Sequence, residues 1–384
     1  MDPSSIIMCL VCSMAGAGLG LFSGLVPGIH VNTLASLMLA SYPVMEEVLS
    51  AVIGRDCAAV AVSCCIMSAS VVHSFVDFVP SVFIGAPDSD DHVAMLPGHR
   101  LLLQGRGMAA VRAAATGSLV GAAAAIILAI PLQWLMLYGA EGVLDRMTPA
   151  VVTGAVAIIL LGQFRKGCGI HATVLFLLSG ALGTAVMDLG MPSDGVMGEG
   201  TLMFPMLSGL FGMPVLLTSA SGGTVPHQRD EGDAPGVRGA GARGVLMGCV
   251  AGWFPGITAT VGASISACFM PENRPERFIS TVASIGTVTS ILSLVTLSVS
   301  GSGRSGICIV IGDIMGDALT GFASQGFLML VLAAGFAALW GYLLTISAGR
   351  SWRGGWECST PGDWVSGWPS SPSPWCTCSP GRTG

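Results

Sequence analysis

From residue 6 to residue 347 this chain is a succession of apolar segments, at 6–22, 29–42, 57–79, 108–138, 149–164, 170–188, 203–219, 241–254, 256–270, 278–299, 305–320 and 323–347. No water-soluble core can take up so many. Only 10% of the residues are charged, against about 25% in a soluble domain, so there is too little polar surface to cover a soluble body. Lipid is the solvent this pattern fits. In lipid every backbone polar group needs an internal partner, which leaves helices as the spanning element for apolar runs of this kind. The expectation is an all-α, polytopic, multi-pass protein of the cell membrane with about 9–12 membrane segments. No Lys or Arg precedes the first apolar run, which argues for a retained first segment rather than a cleaved signal.

Several segments are shorter than the roughly 20 residues that an upright span needs, and some are paired across a Pro-Gly step. That pattern suggests broken or re-entrant helices. The stretch "GLFSGLVPGIHVNT" (20–33) shows it best, and it has a second copy. Displacing the chain by 228 positions lays "GAGLGLFSGLVPGI" (16–29) on "GVLMGCVAGWFPGI" (244–257). Gly16, Gly20, Gly24, Pro27, Gly28 and Ile29 then coincide with Gly244, Gly248, Gly252, Pro255, Gly256 and Ile257. The same displacement lays "SASVV" (68–72) on "TLSVS" (296–300). Two structural repeats follow, with residues 1–202 holding the first and its connecting helices and residues 203–349 holding a second that is incomplete at its C-terminus. Glycines four apart share a helix face and admit a close neighbour. Pro27 removes a donor and unsettles the residue before it, and Gly28 accepts the dihedrals of a break. Broken ends free N–H groups and a positive dipole end, which suit an anion. A proline kink with glycine packing is the alternative reading of one copy.

Polar residues cluster after these breaks. His30, Asn32 and Thr33 follow the first, with Thr258 and Thr260 after the second, where they contact a ligand or cap a helix. Gly28 and Gly256 complete these two groups. His73 and Asp77, four apart in an apolar run, are candidates for ion coupling or for a structural hydrogen bond. "SVSGSGRSGICIVIGDIMGD" (298–317) supplies Ser302, Arg304 and Ser305 as substrate candidates, because the planar fork of Arg pairs with a carboxylate through two hydrogen bonds. An anchor at the membrane surface is the other reading of Arg304. Asp313 joins the ion-coupling candidates and Asp317 is a counter-charge. Asp88, Asp90 and Asp91 read as a solvated turn, and His171 and Asp188 as interfacial.

Other chemistry finds no pattern. There is no GxSxG, HExxH, Walker A or metal-ligand set, and no cofactor motif, so the chain reads as a non-enzyme. No basic cluster is interleaved with aromatics, which excludes nucleic acid. The cysteines Cys9, Cys12, Cys57, Cys64, Cys65, Cys168, Cys249, Cys268 and Cys308 read as small apolar fillers. Arg100, Arg106 and Arg112 in one loop, and Arg229, Arg238 and Arg243 in another, mark candidate cytoplasmic loops. After Ser347 the character changes: five of the eight tryptophans fall there among Ser, Pro and Gly, with no helical or strand period. Residues 350–384 read as a frameshifted or disordered tail.

Taken together, "GLVPGIHVNTLA", "VVHSFVDFVPSVFIGAPD", "LPGHRLLLQGRG" and "SGRSGICIVIGD" resemble the tripartite tricarboxylate transporter permease family, TctA-like, in an archaeal-type form, over about residues 10–347. The resemblance implies an integral membrane permease with two repeats around a central site, and secondary transport of a tricarboxylate or similar small organic anion. In bacterial relatives it also implies a small membrane subunit and an extracytoplasmic binding protein. His30, Asn32 and Arg304 fall within matching motifs. The expected function is uptake coupled to a H+ or Na+ gradient, the substrate held between the two Pro-Gly breaks. Transport of a phosphate-bearing lipid or other anion is the alternative.

Overall fold

The structure, a computed structural model, describes residues 2–26, 29, 31–84, 92–188, 210, 226–230, 232, 234–254, 256–269, 274–301, 303 and 305–358. Among these residues there is no strand. The first half contributes α1 (Pro3–Leu25), α2 (Val31–Ile53), α3 (Arg55–Val76), the short α4 (Phe78–Phe83), α5 (His92–Leu103), α6 (Gly107–Leu135), α7 (Glu141–Arg165) and α8 (Gly169–Asp188). The second contributes α9 (Val237–Trp253), α10 (Ala259–Phe269), α11 (Pro275–Ser300), α12 (Gly306–Met315) and α13 (Gln325–Cys358). Among the described residues seven helical stretches are long and apolar enough to cross a membrane, one of them the 59-residue run Gly107–Arg165 that holds both α6 and α7. α10, with 11 residues, is apolar but too short to cross. The chain is an all-α, multi-pass membrane protein.

Sequence explains where the helices stop. Asp2 caps α1, its carboxylate accepting from the Ser5 N–H, and Pro3 occupies the first position, where no donor is needed. Gly301 in the left-handed region (φ 67°) ends α11. Between α6 and α7 the turn Met136–Ala140 is kinked at Gly139, whose φ of 127° is open to glycine. α6 itself is one continuous helix of 29 residues, longer than the roughly 20 that an upright span needs. α13 continues to Cys358, beyond the expected boundary at 349, and Trp352 there meets the Phe83 ring at 6.4 Å. Residues 359–384 of the expected tail lie outside the described residues.

Glycine faces set the packing. Cβ atoms added at Gly16 and Gly20 would overlap the Cys65 and Ala69 carbonyls, and one at Gly24 would lie 3.2 Å from the His73 carbonyl oxygen, so α1 lies parallel on α3. The same contact recurs in the second half. Gly244 faces the Thr281 carbonyl at 2.5 Å, Gly248 faces Ile285 at 3.1 Å and Gly252 faces Thr289 at 3.5 Å, so α9 lies parallel on α11. The glycines correspond at 228 positions, as the sequence indicates. Their partners Cys65, Ala69 and His73 correspond to Thr281, Ile285 and Thr289 at 216 positions. The alignment of 68–72 on 296–300 therefore has no counterpart in space, because α10 has 11 residues where α2 has 23.

α13 packs along α3, with the Cys64 thiol on the Met329 carbonyl and Gly341 on the Phe75 ring. α6 packs along α11, with Gly117 on the Ser280 backbone and Gly121 on Ser284. Each half thus lends a long helix to the other. Gln133, fully buried on α6, ties this arrangement together. Its amide donates to the Ser298 hydroxyl (3.0 Å) and to the Gly321 carbonyl (3.3 Å), and its oxygen accepts from the Ala323 N–H (2.9 Å). Gln133→Leu keeps the volume but strands these groups, so we expect a loss of about 2–4 kcal/mol, checked as a lower midpoint of thermal unfolding in detergent.

At the start of α11, Glu276 is 93% buried and pairs with Arg106 at 2.8 Å. Asp230 pairs with Arg112 at 2.8 Å and lies 3.6 Å from Arg350. The hydrogen bond from Arg112 holds the Asp230 carboxyl below the usual carboxylate range.

Candidate functional site

Helices end before each Pro-Gly motif and restart after it at corresponding positions. α1 ends at Leu25 and α9 at Trp253, 228 positions apart; α2 begins at Val31 and α10 at Ala259, again 228 apart. The residues after the helix ends are extended in each case, Val26 (φ −100°, ψ 103°) and Phe254 (φ −80°, ψ 121°). Each turn closes with the same bond: Ile29 N–H donates to the Val26 carbonyl at 3.3 Å, and Ile257 N–H to that of Phe254 at 3.2 Å. The first turns of the following helices also agree. Ser36 donates to the Asn32 carbonyl and Ser264 to that of Thr260. Gly256 has φ 85°, a value at which a side chain is strained. Gly28 and His30 lie outside the described residues.

The surroundings of the two breaks differ. The second lies against α7, where a Cβ at Gly256 would be 3.7 Å from Val152, and its apolar neighbours include Met136, Ala155 and Ile265. Thr258 caps α10, its hydroxyl accepting from the Val261 N–H at 3.3 Å. Thr258 and Gly256 are exposed and Thr260 is half-buried.

The first break meets the second half of the chain. The start of α12 lies against the start of α2, and a Cβ at Gly306 would stand 3.0 Å from Asn32 Cγ and Oδ1. Ser305 caps α12, its hydroxyl accepting from the Cys308 N–H at 3.2 Å. Gly303 sits so close that a Cβ there would lie 2.5 Å from the Ile309 nitrogen, so only glycine fits. Two candidate motifs about 270 positions apart in the sequence, "GIHVNT" and "SGSGRSG", are thus neighbours through Asn32, Ser305 and Gly306. Asn32, Thr33 and Ser305 are half-buried. Ser302 and Arg304 lie outside the described residues. Helix starts carry unpaired N–H groups and positive dipole ends, and two meet here.

Beside the first break is a buried polar group. Ser23, His73 and Asp77 are 2%, 5% and 7% exposed. Ser23 Oγ and His73 Nδ1 share a hydrogen bond of 2.9 Å between α1 and α3. Asp77 occupies the joint between α3 and α4, its N–H donating to the His73 carbonyl. A Cβ at Gly24 would lie 3.3 Å from the Asp77 nitrogen, which places the end of α1 on this joint. Asp313 is exposed, on the face of α12 away from its buried residues Ile307, Val310, Ile311 and Ile314. Asp317 is exposed in the turn after α12. His171 is exposed on α8. Among the described residues no group of His, Cys, Asp or Glu is arranged to hold a metal.

Reading the sequence singled out neither Ser23 nor Gln133. Each had a signal: Ser23 precedes the last glycine of the α1 face, and Gln133 is a lone amide within an apolar run beside Pro131.

The profile described as "Tripartite tricarboxylate transporter TctA family" matches residues 10–355. An uncharacterized protein of Methanocaldococcus jannaschii, MJ1079, is 26% identical over 294 residues, covering 75% of this chain and 68% of its own length. No solved structure matches the chain.

Proposed function

This chain belongs to the tripartite tricarboxylate transporter TctA family, and from that premise we propose that it carries a small organic anion, a tricarboxylate or similar carboxylate, bound where the starts of α2 and α12 meet. The family is one of transporters rather than enzymes, so the chain is a permease component of a membrane transport system. The observation that carries the reading is the approach of Gly306 to Asn32, which joins a helix start from each half. A carboxylate there accepts from free N–H groups and from the Asn32 amide, and the two dipole ends favour its charge. Thr33 and Ser305 extend the polar lining. Gly28, His30, Ser302 and Arg304 belong to the same two motifs in sequence, and Arg304 supplies the bidentate donor.

Coupling to a H+ or Na+ gradient is assigned to the buried Ser23–His73–Asp77 group, whose position at the end of α1 lets its occupancy bear on the break. Ionisable groups buried at membrane depth are costly, which makes them functional candidates. Asp313, exposed on α12, is the weaker partner in this scheme. Gly256, Thr258 and Thr260 form the corresponding break on the other half. The cell membrane is the proposed location, and a small membrane subunit and an extracytoplasmic binding protein are the proposed partners.

The test is uptake of labelled citrate into liposomes holding the purified chain, under an imposed proton or sodium gradient. Saturable uptake is expected, with Arg304→Ala reducing it about 10- to 100-fold, as for the loss of a charge-assisted pair. Unchanged uptake in Arg304→Ala removes that residue from the site. Absence of citrate uptake, with labelled phospholipid crossing instead, would favour a phosphate-bearing lipid as cargo.

A further inference from the structure

The direction of each helix can be followed from its contacts. α1 and α13 both run parallel to α3, through Gly16 on Cys65 and Gly24 on His73, and through Cys64 on Met329 and Phe75 on Gly341. α6 and α9 both run parallel to α11, through Gly117 on Ser280, Gln133 on Ser298, Gly244 on Thr281 and Gly252 on Leu292. Two parallel triads result: α1, α3 and α13, and α6, α9 and α11. The two meet along α6 and α13, where Met108 and Val111 lie by Gly349 while Ile126 lies by Gly335. One numbering rises as the other falls, so the triads are antiparallel. The repeated unit of glycine-faced helix, break, return helix and central helix therefore occurs twice in opposite directions.

Charge distinguishes the two ends of the bundle. Arg106 and Arg112 begin α6, Arg238 and Arg243 begin α9, Arg274 and Arg277 begin α11, and Arg350 and Arg353 close α13. All eight lie at one end, because α13 runs against the others. The opposite end, at the starts of α1 and α3, carries Asp2, Arg55 and Asp56, with Glu46 of α2 4.0 Å from Arg55. Lys and Arg near span ends accumulate on the cytoplasmic side.

We infer that this protein is an inverted-topology repeat whose arginine-rich end is cytoplasmic, so that the α1–α2 hairpin enters from outside and the α9–α10 hairpin from inside. Depth supports a shared working level. Gly24 lies opposite His73, about 27 Å along the helix from Arg55, and Gly252 lies opposite Thr289, about 21 Å from Pro275, at 1.5 Å per residue. α11, with 26 residues, is about 39 Å long, so the helix starts stand outside a hydrocarbon core of about 30 Å, and the two tips approach its middle from opposite faces.

The inference rests on helix directions and charge, so its test needs no transport. Epitope tags are inserted singly at two equivalent points, the Gly54 turn before α3 and the segment before Pro275 of α11, in the full chain in cells. The expected result is antibody binding to the first tag on intact cells, and to the second only after permeabilisation. Both tags on one side would overturn the inverted repeat; exchanged sides would overturn the orientation. Normal topology with no citrate uptake would leave this inference standing while the transport proposal failed. If the tag before Pro275 blocks insertion it is replaced by one in the loop at 229–236, which shares the cytoplasmic end; if the Gly54 tag does, it is replaced by one before Pro3 at the start of α1, which shares the outer end.

Discussion

Gly20→Val is expected to abolish accumulation of folded protein in the membrane, while Gly18→Val, two residues away, leaves it near the unaltered level. A Cβ at Gly20 would overlap the Ala69 carbonyl, which is backbone of the central helix and has no room to move aside. At Gly18 nothing lies within 4 Å, and the residue faces outward. Overpacking a core ordinarily costs about 1–3 kcal/mol; here the clash is backbone against backbone along an interface closed by three glycines, so the cost exceeds that range. α3 is buried by α1 on one side and α13 on the other, so separating α1 also uncovers His73 and Asp77. Detergent-resistant monodisperse protein, measured by fluorescence-detected size exclusion, checks the pair. Equal loss in both variants would mean that the α1 face acts through helix propensity rather than contact.

The second large effect falls on transport. Asn32→Leu is expected to reduce citrate kcat/KM by about 10- to 100-fold, because a hydrogen bond to a charged group contributes about 1.5–3 kcal/mol. Folding should be nearly unaffected, since residue 32 is only half-buried. Gly306→Ala should act in the same direction with a smaller effect. Its new methyl would stand 3.0 Å from the Asn32 amide and push it out of place. A transport loss in Asn32→Leu that is matched by loss of folded protein would assign Asn32 to packing instead.

How far the sequence carries is clearest at particular residues. Pro27-Gly28 and Pro255-Gly256, with glycines spaced by four, fall in the gaps between α1 and α2 and between α9 and α10, a coarse signal that local backbone chemistry leaves in the sequence. The partner of the first break was not legible. Asn32 meets Gly306 only because α13 crosses to the first half and α6 to the second, and exchange of long helices leaves no local trace. The register of the central helices was also hidden. α10 is 12 residues shorter than α2, so a displacement that holds at Gly16 fails at Ser68. The end of α13 was misjudged because its Trp and Gly content resembles a loop, whereas packing against Phe83 and the pull of Asp230 on Arg350 hold it helical.

The account stands on one claim: the starts of α2 and α12, one from each half, jointly hold a carboxylate. A structure of the protein in lipid nanodiscs at saturating citrate tests it directly. Density for the anion within hydrogen-bond distance of the Asn32 amide and the first N–H groups of α12 is the predicted result. Citrate bound elsewhere, with the Asn32–Gly306 contact unchanged and closed, would contradict it.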